Sequence, residues 1–210
     1  MENISTKKVY FIIFGVIIAT AASLSSDLSY FTYYKLDIYN FSLVFAGSAL
    51  TYPILFAVTD MIASQVSKQM AIFIGLMIII ADGLFSNIPM LSHVLENVAY
   101  TPDISLGKYS EDVFSFAPKL SELWYMGFIA SSITIIVEIT IFSFILKKIN
   151  NTGLSIVLST ALTLLAHNAI LDWHMIGDIH IILGNYFLNI LVVAIYATII
   201  HYISKTKNSQ

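Results

Sequence analysis

"FIASSITIIVEITIFSFIL", residues 128–146, decides the fold. With Trp124–Gly127 ahead of it, the run is long and apolar enough to cross a bilayer as a helix, which takes about 20 residues. Yet it holds a full acid, Glu138, with Ser131 and Thr134 seven and four residues before it on one helical stripe. A lipid-facing helix would not keep a carboxyl at mid-depth, where the charge costs a few kcal/mol or more. The stretch therefore predicts a membrane helix whose polar stripe faces other helices.

The rest of the chain agrees. It has 210 residues, 58% of them hydrophobic and 11% charged, where a soluble domain carries roughly a quarter charged residues. Disorder requires low hydrophobicity, and a chain without cysteine has no disulfide scaffold. The sequence reads as an all-α integral membrane protein, one domain over 1–210. Six transmembrane helices are expected in one bundle, at about 9–25, 41–62, 70–90, 124–146, 152–172 and 180–203. "ATA" at 19–21 resembles a signal-peptidase site, but the first span is read as retained. A long outer loop is expected over about 91–123, with "SEDVFSFAPKLSEL" as a short amphipathic piece within it or as plain solvated chain.

All ten basic residues are lysine. Seven of them (Lys7, Lys8, Lys68, Lys147, Lys148, Lys205, Lys207) fall at the termini and in the 2–3 and 4–5 connections. Lys35, Lys108 and Lys119 fall in the other loops, beside acids such as Asp27 and Asp37. The positive-inside rule then puts both termini in the cytoplasm. Trp124 and Trp173 fall at the outer ends of spans 4 and 5, where an interfacial aromatic belt belongs. Without arginine there is no fork-shaped anion clamp. A net charge of -3 also gives no footprint for nucleic acid.

Besides Glu138, two acids sit within spans: Asp60 near the inner end of span 2 and Asp82 just past the middle of span 3. Ser86 and Asn87 follow Asp82 by one turn. Thr160, Thr163 and His167 share a face of span 5, adjoined by Asn168 and Asp172. Asn185 and Asn189 stand four apart on span 6. Such stripes predict either a polar cavity within the bundle or interhelical hydrogen-bond contacts. Pro53 breaks span 2 in its middle, as a packing kink or as the broken helix that transporters place at their binding site.

"TYPILFAVTD" (51–60), "FIASSITIIVEITIF" (128–142) and "LGNYFLNILVVAIYATII" (183–200) together resemble the queuosine precursor transporter family, also described as vitamin uptake transporters. Its second-span pattern is matched by Tyr52, Pro53, Phe56, Thr59 and Asp60, and its fourth-span pattern by Ala130, Ser131, Glu138 and Phe142. Asn168 and Asp172 correspond to a polar patch of the fifth span. The chain departs from the family at Ala63, Ser64, Val66 and Ser67, which replace an Asn-Glu pair and a Tyr-Gly. Glu138 replaces the usual Asp, Ile135 a Gln and Glu122 an Arg, which marks a divergent member. The resemblance implies a six-span bacterial inner-membrane protein that imports deazaguanine bases used in tRNA modification.

That chemistry suits the residues. A guanine-like base presents adjacent N–H donors, which a carboxylate can accept together, as acids and amides do when reading flipped bases. Glu138 is the expected acceptor, with Asn168 and Asn185 on other edges and Asp60, Asp82, Asp172 and Tyr52 completing the candidate site. The last polar stretch, "AHNAILDWHMIGDIH" (166–180), holds His167, His174 and His180. It lacks HExxH spacing and straddles a helix end, so it is read as the mouth of the cavity and not as a metal site. His167 could join a proton pathway with Asp82 or Glu138. The expected function is import of a small nucleobase-like substrate within the lipid membrane. No enzymatic activity, cofactor or metal is expected. The rivals are the substrate-binding subunit of a multi-component vitamin importer and an intramembrane metal enzyme. An ATPase partner and homo-oligomer formation stay open, because no P-loop is visible.

Overall fold

A computed structural model describes residues 6–38, 41–87 and 107–207 of the chain. Among the described residues six helices follow in order: α1 (Thr6–Ser29), α2 (Ser48–Ala63), α3 (Lys68–Ser86), α4 (Gly107–Ile149), α5 (Thr152–Met175) and α6 (Ile179–Lys207). Between α1 and α2 lies a two-stranded antiparallel hairpin, β1 (Tyr33–Ile38) and β2 (Phe41–Ala46). Five of the helices, all but α2, are long and apolar enough to cross a membrane. The surface is apolar, with Leu84 70%, Phe14 65% and Phe187 60% exposed, while acids, amides and hydroxyls are buried inside. That reverses the pattern of a soluble protein and is the architecture of a multi-pass membrane protein. The connections alternate between two ends of the bundle. One end carries the hairpin; the other carries Lys7, Lys8, Lys68, Lys147 and Lys148.

The second expected span, 41–62, is corrected. Its first third is strand β2, and α2 has only 16 residues. At 1.5 Å per residue α2 is about 24 Å long, short of the roughly 30 Å hydrocarbon core. Nevertheless α2 is the central helix, touching α1, α3, α4, α5 and α6. Ten of its residues are buried, including Leu55, Phe56 and Ile62, which meet Ala19, Ala71, Ile135 and Leu164 from its neighbours. The hairpin leads directly into α2. Tyr33 pairs with Ala46 and Ile38 with Phe41, and period-two alternation buries Leu43 and Phe45 while Ser42 stays exposed. At its outer part the Ser42 hydroxyl, and then the Lys35 ammonium 3.1 Å away, hold the Asp37 carboxyl below the usual carboxylate range.

Two other boundaries move. Residues 107–123, expected in the outer loop, continue the helix into the fourth span as a single α4, because extending a helix adds a hydrogen bond per residue without a new nucleation cost. The part of that loop before residue 107, including 91–106, lies outside the described residues. Helix α1 runs past the expected end at 25 to Ser29, which brings Asp27 from a supposed loop into the bundle. The chain turn at 176–178 holds Gly177 at φ 68°.

Close helix and hairpin approach depends on Gly184 of α6. A Cβ there would lie 1.9 Å from the Val44 carbonyl oxygen of β2, a backbone atom that cannot step aside. Gly184→Ala should therefore lower stability by about 1–3 kcal/mol through overpacking. Gly127→Ala meets nothing within 4 Å and should be neutral or stabilising by up to about 1 kcal/mol. Thermal unfolding of the two variants in detergent micelles checks the contrast.

Candidate functional site

All six helices contribute to one internal cavity near the hairpin end. Helix α1 presents Ser23, Ser26 and Asp27, and the turn after it Tyr30; α2 presents Ser48 and Tyr52; α3 presents Asp82. Trp124, Phe128 and Ser131 come from α4, His167, Asn168 and Asp172 from α5, and Asn185 and Asn189 from α6. The cavity volume is about 30 Å³, room for a water or two and far less than a fused-ring base occupies.

Three polar junctions build its wall. At the hairpin end, the Tyr30 hydroxyl donates to Asp172 Oδ1 at 2.7 Å and Asn185 Nδ2 donates to Asp172 Oδ2 at 3.0 Å. Asn185 Oδ1 in turn accepts from the Ala46 backbone N–H at 2.7 Å, so one amide ties α5 to the hairpin. On the α1–α3 side, the carboxyls of Asp27 and Asp82 face each other, with Ser86 Oγ donating to Asp27 Oδ2 at 2.8 Å. At the floor, the Tyr52 hydroxyl lies 2.6 Å from Ser131 Oγ and 3.1 Å from His167 Nδ1. The two rings stack at 4.5 Å between centroids, and Thr134 Oγ1 stands 3.5 Å from the same His167 nitrogen.

Four polar atoms on this wall have no hydrogen-bond partner: Asp82 Oδ1, Asn168 Nδ2, Asn189 Oδ1 and Trp124 Nε1. Two are donors and two are acceptors. The Trp124 indole lies against the backbone of Gly83, where a Cβ would come 1.8 Å from the ring. It is therefore part of the cavity wall, not only of an interfacial belt. Trp173, by contrast, is 59% exposed on the outside of the bundle.

Of the residues singled out in the sequence, Tyr52, Asp82, His167, Asn168, Asp172 and Asn185 converge on the cavity, and Pro53 is buried in α2 next to Tyr52. Asp60 and Glu138 do not reach it. They lie two helical turns further toward the lysine end, both fully buried. Ser159 Oγ donates to Asp60 Oδ2 at 2.8 Å, and its neighbour Thr160 Oγ1 donates to Glu138 Oε1 at 2.5 Å. His174 and His180 are exposed while His167 is buried, and among the described residues no three His, Asp or Glu side chains gather as metal ligands. The reading of the sequence passed over Asp27, Ser23, Ser26 and Tyr30. Their spacing of three, four and seven is a polar helical stripe continuing past residue 25.

Comparison with family models, with curated proteins and with solved structures gives no match.

Tyr30→Phe removes one donor from Asp172 while leaving that carboxyl buried. Stability should fall by about 1–3 kcal/mol. Asn185→Leu, which releases both Asp172 and the Ala46 N–H, should cost more. Chemical or thermal unfolding of the pair of variants ranks them, and equal losses would contradict the role given to Asn185.

Proposed function

We propose that the chain is an importer of a small, neutral, planar, nucleobase-like molecule, a deazaguanine precursor of queuosine, across a bacterial inner membrane. Both termini then face the cytoplasm, in keeping with the lysines gathered at one end of the bundle. The observation that carries the reading is the mixed set of unpartnered atoms on the cavity wall. Asn168 Nδ2 and Trp124 Nε1 have hydrogens to donate, and Asp82 Oδ1 and Asn189 Oδ1 have lone pairs to fill. A ligand with both donor and acceptor edges answers that set; a simple anion or an aliphatic chain answers half of it or none. The stacked Tyr52 and His167 rings add an aromatic surface beside it. The resemblance of "TYPILFAVTD" and the Glu138 stretch to the queuosine precursor transporters supports the same ligand class.

Admission of a base requires the wall to move, since the cavity holds about 30 Å³. Trp124 is the side chain placed to do so, because it rests on a glycine. A displaced Trp124 would open the α3–α4 side of the cavity and turn its unpartnered indole N–H from Gly83 toward the ligand.

The test is the queuosine content of tRNA in a bacterium lacking both its own precursor transporter and precursor synthesis, fed low deazaguanine. Expression of this chain should restore queuosine. Asp82→Leu and Asn168→Leu should each lower uptake by about tenfold or more, the equivalent of one good hydrogen bond to the ligand. Absence of queuosine with the protein present in the membrane would overturn the ligand assignment.

A further inference from the structure

The Asp60–Glu138 pair lies outside the cavity and takes no part in its wall. We propose that these two carboxyls form a binding site for one exchangeable monovalent cation, a proton or a sodium ion, whose movement drives transport. The binding site stands on its own geometry; its coupling role rests on the importer reading above.

Both side chains are 0% exposed, and the hydroxyls that hold them, Ser159 and Thr160, are consecutive on α5. Each has one oxygen held by a hydroxyl of α5 and one with no partner, Asp60 Oδ1 and Glu138 Oε2. Two ionised carboxyls sharing a buried site repel strongly and lose their hydration. Nothing from the surrounding helices offsets them. Helix α1 brings Gly15 and Ala19 to this level, α3 brings Ala71 and Gly75, and α6 brings Val193. The nearby titratable side chains are Tyr196 on α6, partly buried in the adjoining apolar cluster, and Tyr52 and His167 two turns above. None of the described lysines is buried. The two free oxygens are thus acceptors for one added positive charge, and intramembrane acids of this kind mark ion pathways.

The same three helices that carry this pair carry the cavity floor. Asp60 follows Tyr52 by eight residues, Glu138 follows Ser131 by seven, and Thr160 precedes His167 by seven, which places the two layers about 10–12 Å apart. Thr134, beside His167, is one turn above Glu138. Toward the lysine end, an open groove of about 500 Å³ reaches Ala63, Ser64 and Phe142, each about one turn beyond the acids. The cation site therefore lies between a cavity on one side and a groove on the other, with buried Phe142 closing the last turn. Asp60 and Glu138 sit on α2 and α4 and are held from α5, so a movement of α2 against α4 at the cavity would alter the spacing of the carboxyls.

Two measurements on purified protein test the site without any substrate: sodium-22 binding at equilibrium, and infrared spectroscopy of carboxyl groups in H₂O and D₂O. A sodium site predicts about one ion per chain, lost in the Asp60→Asn/Glu138→Gln variant and weakened in Ser159→Ala. A proton site predicts a protonated-carboxyl band that shifts on exchange into D₂O and loses part of its intensity in the same double variant, the remainder belonging to other buried acids such as Asp82 and Asp172. The amide replacements keep shape and remove charge, so the variant should fold at least as well as the parent; a circular-dichroism melt checks it. No bound sodium together with no difference in the exchangeable band between parent and double variant would overturn the site. In proteoliposomes, base uptake should respond to an imposed gradient of whichever cation binds, and the double variant should lose that response. Uptake unchanged by the variant would overturn the coupling role, whereas cation binding without any base uptake would overturn the importer reading and leave the site intact.

Discussion

Polar atoms at membrane depth must find partners within the protein, because hydrocarbon supplies none. The interior of this bundle is organised by that constraint. Most of its hydroxyls solve it locally: Thr134 donates to the Ala130 carbonyl at 2.7 Å, Thr163 to Ser159 at 3.0 Å and Ser143 to Ile139 at 2.7 Å. Such bonds need no neighbouring helix. The four buried acids cannot return to their own backbone as donors, so each draws a hydroxyl or amide from another helix or retains an unfilled oxygen. Among the described residues, what remains unfilled, apart from the Ser132 hydroxyl, falls in two places, the cavity and the layer beneath it.

The hairpin end follows the same rule. The hairpin pairs its own backbone, and the Ala46 N–H at its inner end is met by Asn185 Oδ1. Helix α2 follows directly, from Ser48. It sits at the centre, with Pro53 in a position where neighbouring helices surround it.

Much of this was legible in the sequence. Helices α3, α5 and α6 follow from continuous apolar runs, and the convergence of Tyr52, Asp82, His167, Asn168, Asp172 and Asn185 follows from the exclusion of polar groups from lipid. Hydropathy alone, however, does not separate a buried strand from a helix. "FSLVFA" merged with "LTYPILFAVTD" into one apparent span although its strand-like alternation was present. The low hydropathy of "SSDLSY" cut α1 short and hid Asp27. Helical periodicity gave the face on which Asp60 and Glu138 lie, but not that their level falls below the cavity, since depth relative to partners depends on how helices are staggered.

The bonds that close the hairpin end join residues far apart in the chain: Ala46 to Asn185 across 139 positions and Tyr30 to Asp172 across 142. Long loops must be closed before such contacts contribute anything. During synthesis α1, the hairpin and α2 therefore emerge well before the groups that fasten them. The hairpin end of the cavity is complete only once Asp172 and Asn185 are in place and Gly184 lies under Val44.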